Sequence, residues 1–226
     1  MGKEKNFFSN KSLPDKIGII IVGILFLYIL FQIGSFFFAM FIFWADLNFS
    51  KKYTYTDVEN YTNYIGVNSE EEYSNKWNMD ESIFPEKITD SMKVDEFSFT
   101  CYNPWDVKYV GYLTVTYSQD EYKTEVERLY QKEQDQYKGL FNVSGEPENY
   151  SILAIDSDRD FGLVYAIKPD SNGTSITYVE VIVPGKLEME LDEYLPEKYH
   201  LKDMDMSKAN KRTEENEKAK DLFGGP

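Results

Sequence analysis

The chain has 226 residues, with 39 acidic side chains against 24 basic ones and a formal net charge of -15. So acidic a surface repels nucleic acid, whose recognition needs a basic footprint, and no nucleic-acid partner is expected. A single cysteine, Cys101, and a single histidine, His200, exclude an intrachain disulfide and any zinc site built from a Cys/His cluster.

The first element is a run without a charged side chain, Ile17 to Ala45. A bilayer core of about 30 Å needs about 20 apolar helical residues, so this run predicts a transmembrane helix over 17–45 with some tilt. A cleavable signal sequence has an apolar stretch of roughly 7–15 residues and ends in small residues. Here Phe43, Trp44 and Ala45 precede Asp46, so an uncleaved anchor is expected. Lys3, Lys5, Lys11 and Lys16 precede the run, while only Lys51 and Lys52 follow closely. The lysine bias places residues 1–16 in the cytoplasm and everything beyond the helix outside it. Ser35 and Ala39 make a small-xxx-small pair, which allows a second copy of the helix to approach in the bilayer.

Residues 46–92 are polar and tyrosine-rich and read as a short helical stalk. Thr56 with Glu59, and Ser69 with Glu72, have the spacing of capping boxes, and Gly66 suits a helix C-terminus. Tyr53, Tyr55, Tyr61 and Tyr64 read as shielding for a small domain, or as rings resting near lipid headgroups, rather than as a ligand platform.

From Val94 the apolar period becomes two, which predicts strands. Phe97, Phe99 and Cys101 alternate with Glu96, Ser98 and Thr100, and Val107 to Tyr117 forms the partner of a hairpin. Ser118 and Glu121 then open an amphipathic helix bearing Tyr122, Val126, Leu129, Tyr130 and Tyr137 on one face, closed by Gly139. Three further strands end at Asp156, start at Gly162 and follow the Asn172-Gly173 turn. The expected fold is therefore α+β over 93–206: about five antiparallel strands, in the order β-β-α-β-β-β, covered by one helix. Residues 186–201 suit an edge strand or a short helix, and 207–226 reads as a charged, disordered tail.

The most chemically suggestive stretch is DSDRDFG, where Asp156, Asp158 and Asp160 alternate. A calcium loop of the EF-hand type needs glycine at its sixth position and glutamate at its twelfth, and these are Phe161 and Ile167. A hairpin turn is the first reading, and a loose cation site at Asp156, Asp158 and Asp160 the second. Glu121 and Glu125 lie one helical turn apart but at a helix start, where acids are favoured by the dipole. Cys101 reads as a buried small hydrophobe and His200 as an exposed residue without a role. Six sequons begin at Asn10, Asn48, Asn60, Asn142, Asn149 and Asn172, and glycosylation would matter only in a eukaryotic secretory setting.

No glycine-rich phosphate loop, zinc signature or nucleophile elbow is present, and no cofactor is expected. The reading is a single-pass bacterial envelope protein that displays a small acidic domain outside the cytoplasm and works by binding rather than by catalysis, with another membrane protein or a second copy of the helix as candidate partner. The alternatives are a carboxylate-dependent surface hydrolase or, with inverted topology, a tethered cytosolic regulator.

Overall fold

A computed structural model describes residues 12–74, 76–103, 106–132, 134–169, 172–185 and 191–205, with the side chains of Leu47 and Asn48 excepted. Most of the expected N-terminal tail, the charged tail and Asn10 lie outside these residues. The chain forms two compact units, 1–50 and 51–226.

In the first unit, helix α1 runs Leu13–Phe49, beyond the expected 17–45 at both ends. Ser12 caps it by accepting from the Asp15 N–H, while the Asp15 carboxylate accepts from the Ser12 N–H, and a proline follows inside the first turn. Its 37 residues span about 55 Å at about 1.5 Å each. The helix is long and apolar enough to cross a membrane, and none of its apolar span is buried. Ser35 and Ala39 are exposed on its surface. Phe41 stacks on Trp44, whose ring meets the edge of Phe49 near the C-terminal end.

The second unit is α+β and is built on one antiparallel sheet. Its strands are β1 (Lys52–Tyr55), β2 (Lys93–Tyr102), β3 (Lys108–Thr116), β4 (Tyr150–Asp158), β5 (Gly162–Pro169) and β6 (Ser175–Ile182), in the spatial order β1-β2-β3-β6-β5-β4. The hairpin β2–β3 and the meander β4–β5–β6 are the expected local pairings. Their union through β3 and β6 is tertiary, with Leu113 opposite Tyr178 and the Thr114 and Thr177 hydroxyls 3.0 Å apart. The sheet has six strands, not about five. The additional one, β1, comes from the segment read as a stalk and pairs Tyr53 with Cys101 and Tyr55 with Phe99. Four residues are too few for an alternation pattern to declare itself, which is why the sequence did not disclose it.

Residues 56–92 contain little helix. Asp57, not Thr56, caps a short turn at Val58–Asn60, and α2 covers only Tyr61–Tyr64. Gly66 has φ +93, the left-handed helix exit expected of it. The chain around Ser69 and Glu72 is turn rather than helix, and Glu81–Ile83 adds one 3₁₀ turn.

Both faces of the sheet are covered, where one helix on one face was expected. The first face presents Phe97, Phe99, Leu113, Val164, Ile176 and Tyr178 to Tyr61, Ile65, Ile83 and Phe84 and to Leu129 of α3 (Gln119–Tyr130). The second face presents Val110, Leu163, Tyr165, Val179 and Val181 to Leu140, Phe141, Leu195, Tyr199 and Leu201. Helix α3 begins with the expected Ser118–Glu121 capping box but ends at Tyr130, well before Gly139. Beyond it the Gln134 side chain donates to the Leu153 carbonyl and the Asp135 N–H to that of Ile155. The chain thus leaves the helix to run along the β4 edge. Tyr137 accordingly packs under the second face rather than on α3. Residues 191–201 form two 3₁₀ turns, Leu191–Glu193 and Glu197–Tyr199, instead of an edge strand or α-helix.

Gly162 opens β5 at φ +150, where a Cβ would overlap the Val181 carbonyl oxygen of the neighbouring strand. Gly162→Ala is expected to lower stability by about 2–4 kcal/mol, through strain and steric overlap together. Ser118→Ala, which removes only a cap, is expected to lower it by about 1 kcal/mol. Denaturant titration of the two variants checks the ranking.

Candidate functional site

The apolar layer over the second face stops short of the β1 side of the sheet. There Thr54 of β1, Ser98 and Thr100 of β2 and Tyr112 of β3 face a wall formed by residues 192–196, enclosing a groove of about 360 Å³. The register explains the floor. Thr54 lies opposite Thr100 and Ser98 opposite Tyr112, so the alternation that buries Phe97 and Phe99 on one face sends these hydroxyls to the other. The Thr54 and Thr100 hydroxyls share a hydrogen bond at 2.9 Å. Ser98 is only 9% exposed, and among the described residues its hydroxyl has no partner.

Beside the wall, the Lys52 ammonium donates to the Tyr194 hydroxyl at 2.6 Å and lies 3.7 Å from Glu193. It also sits over the rings of Tyr102 and Tyr194, 5.3 and 4.9 Å from their centroids. The hydrogen bond to Tyr194 raises the Lys52 pKa, against the opposing effect of burial. Burial, and then Glu96, makes the Tyr112 phenol a weaker acid than usual.

A second cavity of about 570 Å³ lies between residues 147–150 and 197–204. Glu148, Glu197 and Asp203 line it together with Lys198, Lys202 and His200, so charges of both signs are interspersed. Lys198 is paired with Glu96 at 2.5 Å. His200 is not exposed as expected. Its side chain is 12% exposed, Nε2 is 2.9 Å from the Leu195 carbonyl oxygen and Nδ1 is 3.9 Å from Asp192.

The three aspartates of DSDRDFG do not converge. Asp158 accepts the N–H groups of Asp160 and Phe161, which is turn chemistry, and Asp160 pairs with Arg159. Asp156 instead accepts from the Asp80 N–H and meets the Asp135 carboxyl, and burial first, then Asp135, raises its pKa. Among the described residues no group of three His, Cys, Asp or Glu side chains is placed to hold a metal ion. Glu121 and Glu125 do not act as a pair either. Glu121 serves the helix cap, whereas Glu125 binds Arg128 and accepts from the Tyr178 hydroxyl at 2.6 Å. Arg128 also donates to the Ser82 and Ile83 carbonyls, tying α3 to the chain beneath the first face. Cys101 is buried, and burial pushes its thiol up to about 11, far from the range of a reactive thiolate.

The strongest electrostatic feature lies under the first face. Lys76, 1% exposed, donates to Glu81 at 2.8 Å and to both carboxyl oxygens of the fully buried Glu180, at 3.0 and 2.9 Å. The other Glu81 oxygen accepts from the Gly66 N–H at 2.8 Å. Gly111, opposite Glu180 on β3, leaves the room, because a Cβ there would come within 3.0 Å of Glu180 Oε1. Trp77 and Asn78 both have φ 60, and this left-handed turn directly follows Lys76. Trp77 is held in it by a stacked contact with Phe161 and a hydrogen bond to the Val107 carbonyl.

One ammonium thus faces two carboxyls in a dry site. Burial first, and then the proximity of Glu81, raises the Glu180 pKa well above the usual carboxyl range. Sequence reasoning missed this triad, although a signal existed: Glu180 stands in the inward phase of Ile176, Tyr178 and Ile182.

Because folded Glu180 keeps a proton that the unfolded chain has lost, its contribution to stability is complete below the ordinary carboxyl range. It declines as pH rises toward and through the elevated folded value, by up to about 1.4 kcal/mol per pH unit. Glu180→Gln is expected to remove that decline, and denaturant midpoints measured from pH 4 upward check it. Lys76→Met, which leaves two carboxyls without their cation, is expected to lose about 3–5 kcal/mol at neutral pH in the same assay.

No protein-family model, curated protein or solved structure matches this chain, so its functional reading rests on its own residues.

Proposed function

We propose that the protein is a single-pass membrane protein that holds its α+β domain outside the cytoplasm and works there by binding. The observation that carries this reading is helix α1. It is apolar on every side, entirely exposed, and bears no ionised group over a length well beyond what a bilayer core needs. A helix with that surface is stable against lipid, not water. The four lysines before Ile17 favour a cytoplasmic N-terminus. Ser35 and Ala39, one turn apart, provide a surface on which a second membrane helix can pack closely.

Binding rather than catalysis is supported by the state of the reactive side chains. The thiol is buried and weakly acidic, and the histidine is engaged with a backbone carbonyl. Glu121 and Glu125 serve a cap and an ion pair, and the aspartates of the β4–β5 turn serve the backbone. Two open spaces remain among the described residues, the hydroxyl-lined groove and the cavity lined by charges of both signs.

The test uses single cysteines in a Cys101→Ser background. A membrane-impermeant maleimide applied to intact cells is expected to label Asp160→Cys, in the exposed turn between β4 and β5, and to leave Ser9→Cys unlabelled until the cells are opened. The reverse pattern overturns the orientation, and recovery of the full-length chain in the soluble fraction overturns the anchor.

A further inference from the structure

We infer that the groove between strands β1–β3 and residues 192–196 is a binding site for a neutral carbohydrate. The inference rests on reading the domain as a binding module, and it is independent of the side of the membrane the domain faces.

The floor supplies the first argument. Ser98 is largely covered, but its hydroxyl still reaches the surface and can take a hydrogen-bond partner from outside the chain. Among the described residues it has none, and the space in front of it is the groove itself. Beside it the Thr54 and Thr100 hydroxyls satisfy one another once and retain further capacity to donate and accept. Three hydroxyls in a row match a ligand that carries hydroxyls of its own.

Charge supplies the second. An anionic ligand would meet Asp192, whose side chain is 92% exposed, and Glu193 at the rim. Among the described residues the cations near the groove are engaged: Lys52 with Tyr194 and Glu193, and Lys198, close enough to act on the Tyr112 phenol, with Glu96. A cation would find its partners only at the rim, in Asp192 and Glu193, because the floor of Thr54, Ser98, Thr100 and Tyr112 carries no carboxylate. Charge therefore disfavours an anion, and the uncharged floor favours a neutral ligand over a cation.

Shape and apolar surface supply the third. Tyr112 on the floor and Tyr194 on the wall line a space of about 360 Å³, near the small end of the roughly 300–1,000 Å³ typical of small-molecule sites, and ligand stacking would use the ring surface that Tyr199 and Lys52 leave uncovered. A pyranose ring has an apolar face for such stacking and equatorial hydroxyls for the serine, the threonines and the rim carboxylates. An extended peptide docking on the open β1 edge would instead want apolar pockets for alternate side chains, and the floor here is polar.

The experiment uses the full chain in lipid nanodiscs, which present no sugar headgroup. It is titrated calorimetrically with neutral oligomers of glucose, galactose, mannose and N-acetylglucosamine, with a galacturonic acid tetramer and a lysine-rich peptide as charged controls. The expected result is saturable heat with at least one neutral oligomer and none with either control. Ser98→Phe, which fills the floor, is expected to abolish it. Tyr194→Ala, on the half-exposed wall, is expected to weaken it about tenfold, the value of one stacking contact. Tyr194→Ala decides the matter if Ser98→Phe does not fold. The inference is overturned if no neutral oligomer binds, if a charged control binds as well, or if binding survives the variants in protein that melts like the parent. Absence of sugar binding alongside outside labelling of Asp160→Cys removes this ligand and leaves the anchored domain standing.

Discussion

One ammonium shared by two carboxyls under the sheet is the constraint around which this domain is arranged. Lys76 and Glu81 come from the irregular segment that follows β1, and Glu180 from the middle of β6. Their union therefore ties a loop without regular structure to the centre of the sheet. Burying such a group is unfavourable unless each member is satisfied, and here each is, by the others and by the Gly66 N–H. The aromatic rings around the ammonium, Phe99 and Tyr109, complete its surroundings. A slip of either partner would strand a charge in the core, so the triad specifies where the segment lies more sharply than apolar contacts alone would.

That placement has consequences across the sheet. With residues 61–84 and α3 closing the first face, the second face is left to the chain between 139 and 205. Those residues are enough to cover β4, β5, β6 and the near half of β3, but not the β1 side. The groove exists because coverage stops there. Its polarity follows from the pleat, since aromatic residues on one face of β2 place serine and threonine on the other. Core and site are thus two faces of the same alternation.

The two units have different requirements. Helix α1 presents an exposed apolar surface long enough to cross a membrane, while the sheet unit draws together ion pairs from distant parts of the chain. Arg128 links α3 to residues 82 and 83, Lys198 reaches Glu96, and Lys52 reaches residues 193 and 194. With an excess of carboxylates over cations, the chain disfavours anionic partners by simple repulsion.

By itself the sequence determined whatever depends on neighbours along the chain. The apolar run, the Ser118–Glu121 cap, the β2–β3 hairpin, the β4–β5–β6 meander and the left-handed Gly66 all follow from local periodicity and turn chemistry. The turn reading of Asp158 and Asp160 was equally local. Tertiary structure decided the rest, because the deciding energies belong to groups far apart in sequence. Tyr53 becomes a strand residue only where Cys101 offers a ladder. Gln134 leaves a helical continuation because the β4 edge offers better hydrogen bonds. The inward glutamate in β6 was visible as an anomaly, but its partners, 104 and 99 positions earlier, were not. The hydroxyl floor was likewise written in the alternation of β2. That it faces an unfilled groove was fixed only when residues 192–196 folded over it and left the space open.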